Sequence, residues 1–440
     1  MKPSFKRIIN EGLTVLLGIV IFLVCLFPLR ALFNYHEEMH LFRWTGTYLS
    51  SHLTSVSGVW EYLVSFVAQF FYIGWLGALV IALLTVGIQR LTWWLMKLAR
   101  LRHLWFYPLS LIPSLLFFCL VFMPHDYRVY GLVREQVSYD YLERAGQWDA
   151  ILAQSEGKVP RSLNAIWCTN YALAMTGQLP DRMFSYYQHG PEGLLIEGQK
   201  INVLSRLSLS DILFQLGFVN DAERFVFNAR QEIKDYHTGG RIYQRLAEAA
   251  LINGDKAVAR KYLNYLKPTL FYRSWANHYL GLLDDDKLLA GDPLIHRMRR
   301  LQQKSDDTLE PAKDYSLRKL AEENPQNRMA LNYLLAYELL RLDNNKLTDA
   351  ARLAQRLGMK TLPRPVQECL VGHWMLTHGM QKSCPFPIDK DVYEQTLSFL
   401  NIVNRSGSMQ DPALQSPELS QTYWHYHAYA KTYLLNQLPQ

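Results

Sequence analysis

Long apolar runs fill the first 123 residues and then stop, while in the 317 residues that follow apolar positions recur every three to four residues. The runs are Leu13–Phe33, Leu63–Ile88 and Trp105–Met123. About 20 mostly apolar helical residues cover the ~30 Å hydrocarbon layer of a bilayer, so each run predicts a membrane span. Leu63–Ile88 has 26 residues, with Gln69 as its main polar interruption, and can cross with tilt to spare. Trp105–Met123 carries Pro108 and Pro113, which kink a span without preventing insertion. Pro28 and Arg30 sit near the far end of the first run, where Arg30 is expected to snorkel to the interface. Phe27, Pro28, Leu29 and Arg30 stand where a signal peptide would have its small-residue cleavage site, so the first run reads as a retained anchor.

From Tyr139 onward the period is helical and no strand alternation is sustained. A weak repeat overlies it. Gly217 is followed by Ala222, Val226 and Ala229, and Gly254 by Ala259, Leu263 and Leu266 at the same offsets, 37 residues on. Gly146, Trp148 and Ile151 give a partial match. This resembles the tetratricopeptide pattern of two antiparallel helices joined by a tight turn. Ser210 and Ala247 take the small position of the first helix, the glycine ends that helix, and Ala222 and Ala259 admit close approach of the second. The run Asn324-Pro325-Gln326-Asn327 reads as an inter-repeat turn before Leu331, Leu334 and Leu335, with Ala350, Ala354 and Leu357 in the companion helix. Further helices are predicted at Val366–Thr377, Val392–Val403 and Gln421–Leu435, and breaks at Pro268, Gly291–Pro293, Ser305–Glu310 and Gly407–Pro417. The predicted fold class is therefore all-α: three transmembrane helices in 1–123, then a tetratricopeptide-like α-solenoid in 124–440.

Charge sets the orientation. Lys2, Lys6 and Arg7 precede the first run, and Arg90, Lys97, Arg100 and Arg102 lie between the second and third, whereas the 34–62 loop has Arg43 alone. The positive-inside rule places the basic flanks in the cytoplasm, and the 34–62 loop and everything after Met123 on the far side. Trp93, Trp94 and Trp105 fit an interfacial aromatic belt. The net charge of +7 is mostly this topology signal, because residues 124–440 hold 37 basic and 35 acidic side chains. No basic face for nucleic acid is implied.

Three cysteines fall in the later part, Cys168, Cys369 and Cys384, without metal-ligand spacing. Cys369 and Cys384 would pair in an oxidising compartment or else remain buried thiols. His36-Glu37-Glu38-Met39-His40 satisfies His-Glu-x-x-His: on a helix the two histidines share a face and hold zinc, Glu37 activates the bound water, and Glu61 offers a third ligand. The competing reading is ordinary packing at the membrane interface. His425 and His427 lie two apart among Tyr423, Trp424, Tyr426 and Tyr429, which reads as an aromatic helix closing the end of the solenoid. His373 and His378 face apart, and Asp284–Asp286 reads as a solvated turn. Gly239-Gly240 reads as a helix-linking turn. No cofactor, catalytic or phosphate-loop residue is assigned. Spans two and three hold almost no ionisable residue, which argues against a transporter.

Three segments, Glu38–Ser51, Phe66–Tyr72 with Gly74 and Gly77, and Leu173–Phe184, resemble an uncharacterised family of polytopic membrane proteins found in Bacteroidota. That resemblance implies a Gram-negative inner membrane, a tetratricopeptide-like C-terminal region and no assigned activity. Members of that family usually carry more spans before the soluble region than the three predicted here. The expectation is a multi-pass inner-membrane scaffold whose periplasmic groove binds protein partners, with the bilayer as its other partner. Helices 203–266 are the first place to look for the groove, with Arg206, Tyr243 and Arg260 as exposed positions. The alternatives are a membrane zinc enzyme using His36, Glu37, His40 and Glu61, and a subunit of an envelope-polymer export or assembly complex.

Overall fold

A computed structural model describes residues 3–101, 103–122, 127–195, 201–233, 238–304, 312–379, 383–407, 411–416, 418–428 and 430; for residues 3–4, 120–122, 127–132 and 415 it describes the backbone alone. The described residues are all-helical, with a single isolated β-bridge between His40 and Thr238. They form two compact units that do not divide at residue 123: one joins 1–141 to 230–251 and 255–289, the other joins 142–229 to 252–254 and 290–440.

In the first unit two described helices are long and apolar enough to cross a membrane, Phe5–Leu26 and Gly74–Leu98, and Leu104–Cys119 is a shorter apolar stretch. The three predicted spans are redrawn at their ends. The first stops at Leu26, because Pro28 cannot donate a ladder hydrogen bond, and a new helix runs Arg30–Met39. The Arg30 guanidinium lies 5.1 Å from the Tyr141 ring centre. The predicted Leu63–Ile88 span is two elements, Val56–Ala68 and Gly74–Leu98, joined by a 3₁₀ turn at Gln69–Tyr72. Gln69 donates its side-chain amide to the Phe66 carbonyl (2.8 Å), and Phe71 turns in to stack on Phe33 at 4.3 Å. Gly77 makes room for that ring: a Cβ there would sit 2.3 Å from Phe71. The third run is a 3₁₀ helix, Leu104–Ser110, followed by Leu111–Phe122, and Met123 lies outside the described residues.

Leu17, Ile21, Cys25, Phe33, Phe71, Ala78, Ile81 and Ala82 form the core between these helices. Buried polar side chains tie their other ends: Thr14 Oγ1 meets the Tyr107 hydroxyl at 2.5 Å, and Gln89 donates to Ser110 at 2.8 Å. Trp94 and Trp105 are exposed, and Trp93 is buried against Tyr107.

The second unit is built from consecutive helices. Val203–Leu216 and Val219–Glu232 are joined at Gly217, whose φ of +107° suits glycine; a Cβ there would lie 2.4 Å from the Leu301 carbonyl oxygen. Ser210 donates across the pair to the Ala222 carbonyl at 2.9 Å. Lys313–Glu323, Arg328–Arg341, Asn344–Arg356, Arg364–His378 and Lys390–Ser406 then pack each on the next. Asn327 caps the second of these through Ala330 N and also donates to the Leu216 carbonyl. The predicted break Ser305–Glu310 lies outside the described residues, as do Pro417 and the predicted helix beyond residue 430.

The equivalent pair 37 residues later, Gly240–Asn253 and Lys256–Leu266, belongs mostly to the first unit, with the stacked rings of Tyr243 and Tyr265 between its helices (4.1 Å). Ser210, Ala222, Ala247 and Ala259 are all fully buried, as small residues at close helix crossings should be.

Candidate functional site

The His36–His40 segment is bonded to the 238–272 region of the first unit. Glu37, Glu38 and His40 are buried. A carboxylate in that position needs partners to offset its lost hydration. Glu38 meets Arg241 at 3.2 Å, and the same guanidinium nitrogen meets Asp140 at 2.8 Å. Glu37 accepts a hydrogen bond from the Tyr272 hydroxyl at 2.9 Å. The backbone joins in: Thr238 N donates to Met39 O (3.0 Å), and Trp44 N to Pro268 O (2.7 Å).

Gly239 and Gly240 are therefore more than a linking turn. A Cβ on Gly239 would lie 2.3 Å from the Glu38 carbonyl oxygen, and one on Gly240 2.3 Å from the Tyr272 ring. Both glycines let the 37–40 segment and Tyr272 close on the start of helix Gly240–Asn253.

At the segment's end the backbone departs from the continuous helix assumed in the zinc reading. His40 is the residue that ends helix Arg30–Met39, with extended backbone at φ −130° and ψ 104°. Its Nδ1 lies 2.8 Å from the His36 carbonyl oxygen, and its Nε2 lies 3.6 Å from Glu61. The His36 and His40 ring centres lie 6.0 Å apart. Glu61 does reach His40, while Glu37 bonds Tyr272. Among the described residues no group of three or more His, Cys, Asp or Glu side chains is placed to hold a metal ion.

Beside this clamp opens a polar pocket of about 400 Å³. Tyr243 and Tyr265 form its stacked floor. The Arg43 guanidinium lies 3.9 Å from the Tyr265 ring centre, and Arg230 donates through Nε to the Tyr243 hydroxyl at 2.9 Å. Burial, reinforced by Tyr243, pushes the Tyr265 phenol up to about 12, so it stays a neutral donor at physiological pH. Tyr243 is buried, against the expectation that it lies exposed in a groove; Arg206 is half-buried, and Arg260 is exposed and paired with Asp284.

The remaining sequence candidates are structural. Cys369 and Cys384 are free thiols and not a disulfide; the Cys369 thiol donates to Asn344. His378 stacks on Trp374, and His373 meets Asn344. The aromatic segment at 423–428 packs on helix Arg364–His378: Tyr423 N donates to Glu368, and Trp424 fills the space that Gly372 leaves. Asp284 and Asp286 pair with Arg260 and Lys256. Asp140, Arg230, Arg241, Tyr265 and Tyr272 carried no local motif. The adjacent glycines at 239 and 240 were the one signal of a close approach there.

The chain belongs to DUF6057, a family of unknown function, which it matches over residues 4–135 and 133–430. No curated protein and no solved structure matches it.

Proposed function

We propose that this family member is a three-span inner-membrane scaffold whose tetratricopeptide-like helix pairs bind protein partners on the periplasmic side. One observation supports it above the others. The 34–62 loop, which follows the first apolar helix, is bonded within a single unit to helices that come after the third apolar run, through Glu38–Arg241, Glu37–Tyr272 and Met39–Thr238. Both must then lie on one side of the bilayer, which requires an even number of crossings between them. Helix Gly74–Leu98 supplies one crossing, so the 104–122 run has to supply the other.

Its length suffices. Seven 3₁₀ residues and twelve α-helical residues extend about 32 Å at rises of ~2.0 and ~1.5 Å, enough for the ~30 Å core. The apolar windows of the two long helices are only 28% and 33% buried within the chain, leaving a surface that suits lipid. The basic flanks then face the cytoplasm. Stacked helix pairs with small residues at their crossings leave a concave face of the kind that takes a partner segment.

Two measurements test the proposal. A reporter fused after Gln440 and active only outside the cytoplasm should give signal. In native membranes, a photo-crosslinking residue placed at exposed Phe227 or Leu376 should capture a discrete protein. A cytosol-only reporter overturns the topology, and a chain that is never captured with another protein overturns the scaffold.

A further inference from the structure

We propose that the pocket between Arg43 and Arg230 binds a phosphate ester. The pocket holds about 400 Å³ and is mostly polar, which suits a charged headgroup-sized ligand better than an apolar one. Two guanidinium groups from separate segments converge on it, and among the described residues neither meets a carboxylate. In the same unit Arg241 is matched by Glu38 and Asp140, and Arg260 by Asp284.

Each guanidinium is held in place by the aromatic floor. The Arg43 guanidinium lies 3.9 Å from the Tyr265 ring centre, and Arg230 donates to the Tyr243 hydroxyl, which limits the side-chain freedom to be lost on binding. Arg43 Nε and Thr238 Oγ1 are buried atoms with no hydrogen-bond partner, and both belong to pocket-lining residues. Donors left without partners at a site of positive charge call for an anion rich in acceptor oxygens. Phosphate offers three or four such oxygens in the geometry that arginine forks match.

Arg43 lies on the 34–62 loop, which on the topology proposed above borders the bilayer. The ester therefore comes either from a lipid headgroup or from a soluble phosphorylated molecule. The lipid source rests on that topology; the soluble source does not.

The experiment uses the purified full chain in zwitterionic detergent. In one arm, native mass spectrometry measures retention of phosphatidylglycerol. In the other, calorimetry measures binding of glycerol 3-phosphate. Arg43→Gln and Arg230→Gln are compared with Arg260→Gln, which removes the same charge from an exposed site away from the pocket. Arg230 is exposed, so its replacement does not threaten folding; Arg43→Lys keeps the charge but loses the fork. Expected is saturable binding in at least one arm, weakened about tenfold or more by either pocket glutamine and unchanged by Arg260→Gln. Retention of lipid alone identifies the headgroup as the source, and binding of glycerol 3-phosphate alone identifies a soluble ester. No binding in either arm overturns the proposal, and so does equal weakening by all three glutamine variants. Because neither arm reports on protein partners, its failure leaves the scaffold reading standing.

Discussion

Glu38 in the first unit and Glu338 in the second are equally inaccessible, at 0% and 1% exposure, yet their charge is handled in opposite ways. Glu38 faces Arg241, which Asp140 also contacts, so the two carboxylates share one guanidinium of opposite charge. Both carboxylate oxygens of Glu338 lack a hydrogen-bond partner. Burial, helped by Asp314, pushes Glu338 up to about 7, while Arg341 and Lys346 pull the other way and Asp343 adds to the rise. Glu338 thus keeps its proton up to near neutral pH. A paired charge specifies which segments meet; a protonated carboxyl specifies nothing and makes its surroundings sensitive to pH. The paired site joins the 34–62 loop to helix Gly240–Asn253, where the fold has to choose one long-range contact.

Removing the shared cation tests this most severely. Arg241→Met leaves Glu38 and Asp140 buried without their common partner, and should cost about 3–5 kcal/mol. The thermal midpoint of the full chain in detergent should fall sharply, and adding Glu38→Gln should recover part of the loss. A midpoint unchanged by Arg241→Met would mean that the pairing is incidental.

The second unit should show its difference as pH dependence. Below about 4.5 the Glu338 carboxyl is protonated in folded and unfolded chains alike. As pH rises from there to about 7 the unfolded chain ionises while the folded one keeps its proton, so stability falls and then levels off. The loss at this site is at most about 3 kcal/mol. Glu338→Gln should flatten that contribution, so its advantage over the parent chain should grow between pH 4.5 and pH 8. A constant difference across that range would show that the carboxyl ionises normally.

The two regions were not equally legible in the chain. Helix turns announce themselves locally: Gly217 and Gly254 each have a positive φ, and Ala222 and Ala259 five residues on are fully buried, because period and turn chemistry act over a few residues. The Glu38–Arg241 contact spans 203 residues and leaves no periodic trace. A pattern of residue types likewise cannot reveal that the helix through His36 ends before His40. The break at Gln69–Tyr72 was hidden for a related reason. Phe70, Phe71 and Tyr72 are as apolar as a span, and only the packing of Phe71 into the space over Gly77 turns the chain. Pro28 was a readable stop that the apolar run around it obscured.

Two smaller substitutions sharpen the contrast between charged and neutral bonding. Tyr272→Phe removes the hydroxyl from Glu37 and keeps the ring that Gly240 accommodates. A hydrogen bond to a charged group contributes about 1.5–3 kcal/mol, so the loss should lie near 2. Asn327→Ala is the neutral counterpart in the second unit, deleting the cap on Ala330 N and the bond to the Leu216 carbonyl. Cap removal costs about 1 kcal/mol, and the Leu216 carbonyl also accepts from no charged donor in that bond. Unfolding midpoints should therefore rank Tyr272→Phe below Asn327→Ala. The reverse order would place the greater strength in the neutral turn between helices, and the charged clamp would then contribute contact specificity without much stability.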